Sequence, residues 1–172
     1  MTNWQNKPVT ILGLSQTGLA VAMYLQAKGA NCFVSEYAPA SPANLEARQQ
    51  LDTLGITYET GGHTAKCFNH SDLVVLSPGI PQHATVVKEL QMSGKKLISE
   101  IELAATETPK DIIGITGTNG KTTTTLLVSA LLETGHFKAP ACGNIGTPFI
   151  TTVETQPDYY VVELSSYQLT FT

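Results

Sequence analysis

Two stretches carry residues whose types and spacing point to chemistry. The first is Gly114-Ile115-Thr116-Gly117-Thr118-Asn119-Gly120-Lys121-Thr122, which follows an apolar run and opens a helical one. Glycines at 117 and 120 let the backbone turn its N–H groups toward an anion, and the free N–H groups and dipole of a helix start favour one. Lys121 is placed to reach terminal phosphates and the Thr122 hydroxyl to ligate Mg²⁺. The usual phosphate-loop spacing asks for glycine at position 115, where this chain has isoleucine, so the loop is a variant. Glu163 closes the run Tyr159–Val162 and supplies a carboxylate where a strand would end beside that loop.

The second stretch is Gly13-Leu14-Ser15-Gln16-Thr17-Gly18. It resembles the dinucleotide fingerprint, with Ser15 where the second glycine allows closest approach to a pyrophosphate. That serine weakens an NAD or FAD reading but leaves the helix N-terminus as an anion site. Glu36 follows 18 residues after Gly18, at the end of the next apolar run, within reach of a ribose or a base. A nucleoside diphosphate satisfies both features, and an empty strand-to-helix turn remains the alternative.

The elements that must hold these loops alternate along the chain. Val9–Leu12, Cys32–Val34, Ile56–Tyr58 and Leu73–Leu76 read as strands; Thr17–Lys28, Asn44–Leu54 and Ala84–Met92 read as helices closed near Gly29, Gly55 and Gly94. After residues 94–99 the pattern restarts, with Glu100–Glu107 as a helix, Ile112–Ile115 as a strand, Thr122–Thr134 as a helix and Tyr159–Val162 as a strand. The expected architecture is α/β: a Rossmann-like parallel-sheet domain over 1–95, then the start of a P-loop-type α/β ATPase domain over 96–172.

Composition narrows the partners. Hydrophobic residues make up 42% and charged ones 14% of the 172, enough apolar text for a core. The net charge of −4 comes without a Lys/Arg stripe, which argues against a nucleic-acid binder. No apolar run approaches a membrane span. Residues 1–6 carry neither a basic nor an apolar leader, and the cysteines are three and scattered, so reduced thiols in a cytoplasmic protein are expected.

Other residues invite weaker readings. His63, Cys67 and His70, at i, i+4 and i+7, would share a helix face and could hold zinc; a chance spacing is the alternative. Glu100 and Glu102 read as acids complementing a helix N-terminus. Trp4 reads as a packing residue, and His83 and His136 as surface residues.

The segment Gly114–Thr123 resembles the ATP loop of the Mur ligases, ATP-dependent amide-forming enzymes of peptidoglycan synthesis. Gly13–Ala20, Ser77–Ile80, Ser99–Leu103, Gly143–Pro148 and Glu163–Leu169 resemble, in the same order, the branch that adds D-glutamate to UDP-N-acetylmuramoyl-L-alanine. The resemblance implies that Ser15, Gln16 and Thr17 hold the UDP diphosphate, Glu36 sits by the uridine, and Ser77, Pro78 and Gly79 line the same cleft. It implies that Asn144, Ser165 and Gln168 contact the muramoyl-alanine part. Gly117, Thr118, Asn119, Gly120, Lys121, Thr122 and Thr123 would bind ATP, with Thr122 and Glu163 at Mg²⁺ and Lys121 and Glu163 as the catalytic pair.

It also implies a role in cell-wall biogenesis, and through it in cell shape and division. Family members are longer, so the resemblance implies an N-terminal portion lacking the D-glutamate domain, itself inactive and prone to self-association through an incomplete central sheet. A non-catalytic UDP-binding module and an NAD-dependent oxidoreductase domain are the competing readings.

Overall fold

A computed structural model describes residues 2–172. The first sheet contains β1 (Pro8–Leu12), β2 (Asn31–Glu36), β3 (Thr57–Thr60), β4 (Leu73–Leu76) and β5 (Lys96–Ser99) in the order β3-β2-β1-β4-β5. All four pairings are parallel. Parallel strands need crossovers, supplied here by α1 (Gln16–Ala27), α2 (Leu45–Thr53), α3 (Ala65–Asn69) and α4 (Thr85–Met92). The central strands read apolar without alternation because helices cover both faces, and Val9, Ile11, Leu12, Val74 and Val75 have no solvent exposure.

The strand order reverses between β1 and β4, whose neighbours lie to either side. Such a switch point opens a crevice beyond the carboxyl ends of the strands. The first glycine loop leaves β1 at that point.

The second sheet is smaller: β6 (Asp111–Ile115), β7 (Ala141–Gly143) and β8 (Tyr159–Glu163), ordered β6-β8-β7 and parallel throughout. Helix α5 (Glu100–Glu107) joins the sheets, α6 (Lys121–Thr134) follows the second loop, and α7 (Ser166–Leu169) follows β8. Strand β6 is an edge and its outer residues are exposed, as are Leu126, Leu127 and Leu131 on α6.

Two findings bear on the division expected at residue 95. Strand β5 pairs with β4 in register Leu73↔Lys96 to Leu76↔Ser99, so the first sheet runs through Ser99. The lysine-rich text Lys95-Lys96 hides this strand because it is an edge, where charge is tolerated and useful. A single apolar cluster also runs across both sheets, joining Val21, Leu25 and Ile101 to Phe149, Ile150 and Tyr160. Burying side chains such as Leu25 or Ile150 is worth roughly 1.5–3 kcal/mol each, so the sheets are packed as one body.

Trp4 is buried in that cluster, and His83 and His136 are exposed. Beyond α7 the chain turns back: the Phe171 carbonyl accepts from Ser99 N at 2.8 Å, and its ring packs on the first sheet beside Leu76 and Val87.

Candidate functional site

The first loop is built to tight tolerances. Gly13 sits at φ +92°, a conformation that favours glycine. A Cβ on Gly18 would stand 2.1 Å from the Gly13 carbonyl oxygen and 2.5 Å from Ser77 Oγ, so no side chain fits there. Ser15 is the N-cap of α1, and its hydroxyl accepts from Gly18 N at 3.2 Å. The Ser77 hydroxyl donates to Gly13 O at 2.9 Å, and Glu36 accepts from Leu14 N at 2.6 Å and from Ala38 N at 2.7 Å.

These bonds alter two expected roles. Glu36 is where the sequence put it, at the end of β2, but each carboxylate oxygen already accepts a backbone amide. Its first task is to hold the loop, which leaves only spare lone pairs for a ribose or base. Ser77 likewise spends its proton on Gly13. Side-chain oxygens that fix the turn have replaced the missing second glycine as its organising feature.

Ser15, Glu36, Ser77, Pro78 and Gly79 line a cavity of about 680 Å³. Gln16 and Thr17 occupy the first turn of α1, exposed and half-buried respectively, and do not line the cavity. Sequence reading missed other wall residues. Tyr37 and His63 pair their rings at 5.9 Å, and Phe68, Ile80 and Val86 add apolar surface. Burial holds the His63 imidazole below its ordinary range, against the opposing pull of Glu59 and Glu36.

The second loop joins β6 to α6. Gly120 takes a left-handed φ of +76° at the N-cap, and Gly117 lies at +154°. Lys121 Nζ donates to Gly117 O at 2.8 Å, folding back over its own loop. Thr118, Asn119 and Thr123 are exposed.

Thr122 Oγ1 donates to Glu163 Oε2 at 2.7 Å, and Asn144 Nδ2 donates to Glu163 Oε1 at 3.0 Å. Glu163 is buried at 3% exposure. Asn144 directly follows β7 and is held by β8: its N–H donates to Glu163 O at 2.9 Å, and the preceding Gly143 has φ +98° with no room for a Cβ beside that same oxygen. Thus Asn144, assigned by resemblance to the substrate, is brought onto the same carboxylate as Thr122.

These donors fit Mg²⁺, which takes hard oxygens in an octahedron. Two oxygens 2.7 Å apart lie close to the roughly 2.9 Å edge such a shell needs.

Ser165 and Gln168 are turned inward on each other. They form a capping box at the start of α7: Ser165 N donates to Gln168 Oε1 at 2.8 Å, and Gln168 N donates to Ser165 Oγ at 3.3 Å. Gln168 Nε2 is buried without a partner. The segment containing it forms one wall of a crevice whose other wall is Leu76–Pro78 and Ile80, beside the first cavity.

Glu100 departs most from its expected role. It does start α5, but its side chain points across to the short 3-10 turn Phe149–Thr151 between β7 and β8, where Oε1 accepts from Ile150 N at 2.6 Å. Burial pushes its carboxyl up to about 7, against the amides of Ile150 and Phe149. Glu102 carries the N-terminal acid role, its N–H bonded to the Ser99 cap.

With this geometry in view, comparison with known proteins decides the family. The model of the Mur ligase MurD-like N-terminal domain matches residues 7–99, and that of the Mur ligase middle domain matches residues 115–171. The chain belongs to the Mur ligase family. The match to the first model ends at Ser99, the last residue of β5.

Among its Mur ligase relatives, the UDP-N-acetylmuramoylalanine–D-glutamate ligase of Koribacter versatilis is 42% identical over 170 residues, 96% of this chain and 37% of that protein. The enzyme of the same name from Chlorobium phaeobacteroides (strain DSM 266) is 46% identical over 169 residues, 95% of this chain and 36% of its own length. The chain therefore spans a little over a third of these relatives. A pseudomurein peptide ligase type C from Methanothermus fervidus superposes with a TM-score of 0.53 at 26% identity, covering 92% of this chain and 33% of that one. The Neisseria meningitides UDP-N-acetylmuramate:L-alanyl-gamma-D-glutamyl-meso-diaminopimelate ligase shares the fold at a TM-score of 0.57 and 22% identity, over 94% of this chain and 53% of its own.

Proposed function

We propose that this chain carries the UDP-nucleotide cavity and the ATP loop of a cytoplasmic ligase that adds D-glutamate to UDP-N-acetylmuramoyl-L-alanine in peptidoglycan synthesis, and so serves cell-wall biogenesis and cell division. The observation that carries the reading is the Thr122–Glu163 pair at the head of the glycine–lysine loop, steadied by Asn144. A hydroxyl bonded to a buried carboxylate at the end of the neighbouring strand is the donor set an ATP-bound Mg²⁺ needs.

In this reading the alanyl carboxylate attacks the γ-phosphorus of ATP, ADP leaves, and an acyl phosphate forms. The D-glutamate amine then attacks the acyl carbon, and inorganic phosphate leaves with formation of the amide. Lys121 swings from Gly117 O onto the phosphates, and the loop N–H groups stabilise charge on the transferring oxygens. Thr122 and Glu163 would hold Mg²⁺, which when bound would neutralise phosphate charge. Ser15, Gln16, Thr17 and the Ser77–Gly79 turn bind the UDP diphosphate, while Asn144, Ser165 and Gln168 face the muramoyl-alanine arm. The 172 residues bind both nucleotides without completing ligation, and copies associate through the β6 edge and the apolar face of α6.

Calorimetry with UDP, NAD and ATP·Mg²⁺ tests the assignment. UDP binds and NAD does not, and ATP binding requires Mg²⁺. Binding of NAD in place of UDP would overturn the nucleotide reading. ATP turnover by this chain that depends on both UDP-N-acetylmuramoyl-L-alanine and D-glutamate would overturn the reading of the 172 residues as inactive alone.

A further inference from the structure

Beyond the first cavity wall that His63 shares with the first glycine loop, three side chains gather with the donor set of a soft-metal centre. Glu59 is in β3, His63 lies in the turn that follows, and Cys67 is in α3. One ligand atom from each lies within 4.8 Å of the other two. Ser35 Oγ stands among them, donating to Glu59 Oε1 at 2.6 Å and lying 2.7 Å from His63 Nδ1. Thr64 braces the carboxylate from outside, its hydroxyl on Oε2 at 2.5 Å and its N–H on Oε1 at 3.0 Å. The sequence suggested His63, Cys67 and His70. The fold instead sends His70 to the Asn31 carbonyl at 2.9 Å and brings Glu59 into its place.

We propose that Glu59, His63 and Cys67 bind one divalent cation of the zinc class, with a fourth position left to solvent. The ligand types decide the class. One carboxylate oxygen, one imidazole nitrogen and one sulfur form a mixed set that zinc accepts, whereas Mg²⁺ and Ca²⁺ seek oxygen alone. Distances allow it with modest movement: zinc ligands at 2.0–2.3 Å stand about 3.3–3.8 Å from one another, so the widest separation closes by about 1 Å.

The parts are suited to that movement. Cys67 is fixed in the core with no exposure, while β3 is an edge strand and His63 is half-buried in a turn, so the two outer ligands can close onto the anchored sulfur. His63 also lines the first cavity, so the fourth position opens toward it. On binding, the Cys67 S–H bond gives way to an S–metal bond and the proton passes to solvent. This site does not depend on the nucleotide reading.

Titration of the full chain with Co²⁺, followed by absorption, and with Zn²⁺ against a competing chelator tests the proposal. One equivalent of Co²⁺ should produce a thiolate charge-transfer band together with the d–d bands of a four-coordinate ion. Zinc affinity should fall about tenfold or more in His63→Gln. Cys67→Ser should abolish the charge-transfer band. Cys67 is fully buried, so its variant could unfold; His63→Gln, in a half-buried turn, keeps the test open, with circular dichroism verifying the fold of each. A folded wild-type chain that shows no thiolate band overturns the proposal. So does zinc affinity that His63→Gln leaves unchanged.

Discussion

The first glycine loop is clamped by its surroundings and the second is held by a single corner. Around Gly13–Gly18, the Ser77 hydroxyl, one Glu36 carboxylate oxygen and the Ser15 cap all bond to loop backbone, and Gly18 has no space for a methyl group. Around Gly117–Thr122, the Thr122–Glu163 bond ties one end, Lys121 bonds to its own loop, and a Cβ on Gly120 would meet nothing within 4 Å. The two turns are built from similar glycine-rich text, and the proposed function gives each an anion to face. One is held in place by its fold; in the proposed function the other keeps its donors free until phosphate arrives. Preorganisation removes an ordering cost from binding, so the first loop should recognise its ligand with little change and the second should tighten on it.

Paired glycine substitutions give the largest expected contrast. Gly18→Ala drives a Cβ to 2.1 Å from backbone, and should cost about 3 kcal/mol in chemical denaturation and abolish UDP binding. Gly120→Ala meets only the left-handed backbone penalty, about 1–2 kcal/mol. Equal losses from the two would erase the distinction between a clamped and a free loop.

The next effect concerns the buried Glu100 carboxylate, which bonds to Ile150 beside the shared apolar cluster. The Glu100 carboxyl titrates at about 7 in the folded chain against a reference of 4.5. The folded state therefore holds this proton more tightly than the unfolded one. The stability so gained is fully present below pH 4.5 and is lost as pH rises through 7. Wild type should lose about 3 kcal/mol relative to Glu100→Gln between pH 4.5 and 8. Urea denaturation of both proteins across that range measures it, and a flat difference would mean the carboxyl is not desolvated.

At the second loop, Glu163→Gln should weaken the Mg²⁺ dependence of ATP binding about tenfold or more and leave UDP binding unchanged, as calorimetry would read. A matching loss of UDP affinity would show that the cradles are not independent. The smallest effect is expected from Ser165→Ala. It breaks the capping box of α7 and should cost about 1 kcal/mol; a larger loss would show that α7 and Phe171 hold the edge of β5 more firmly than one cap can.

Local text disclosed much of this. Val9–Leu12 followed by Gly13–Gly18 and Leu73–Leu76 followed by Ser77-Pro78-Gly79 were legible because buried parallel strands are uniformly apolar and their exits need glycine or proline. The helix after Lys121 was legible from its length. Short elements were not: β7 has three residues and exists through its pairing with β8, and α3 and α7 have five and four. Neither is long enough to show a period. Strand β5 was obscured by its lysines.

By itself, the sequence determined the α/β class, the two strand-to-helix anion turns and their likeness to a ligase family. These depend on residue type at fixed short spacing, and glycine, lysine and hydroxyl chemistry is local. Only the tertiary structure decided that Glu36 and Ser77 clamp a loop, that Glu100 reaches Ile150, and that Glu59 rather than His70 joins His63 and Cys67. Each of these joins groups far apart along the chain or on different elements, and what a carboxylate or hydroxyl does is set by the neighbours that folding brings within 3 Å of it.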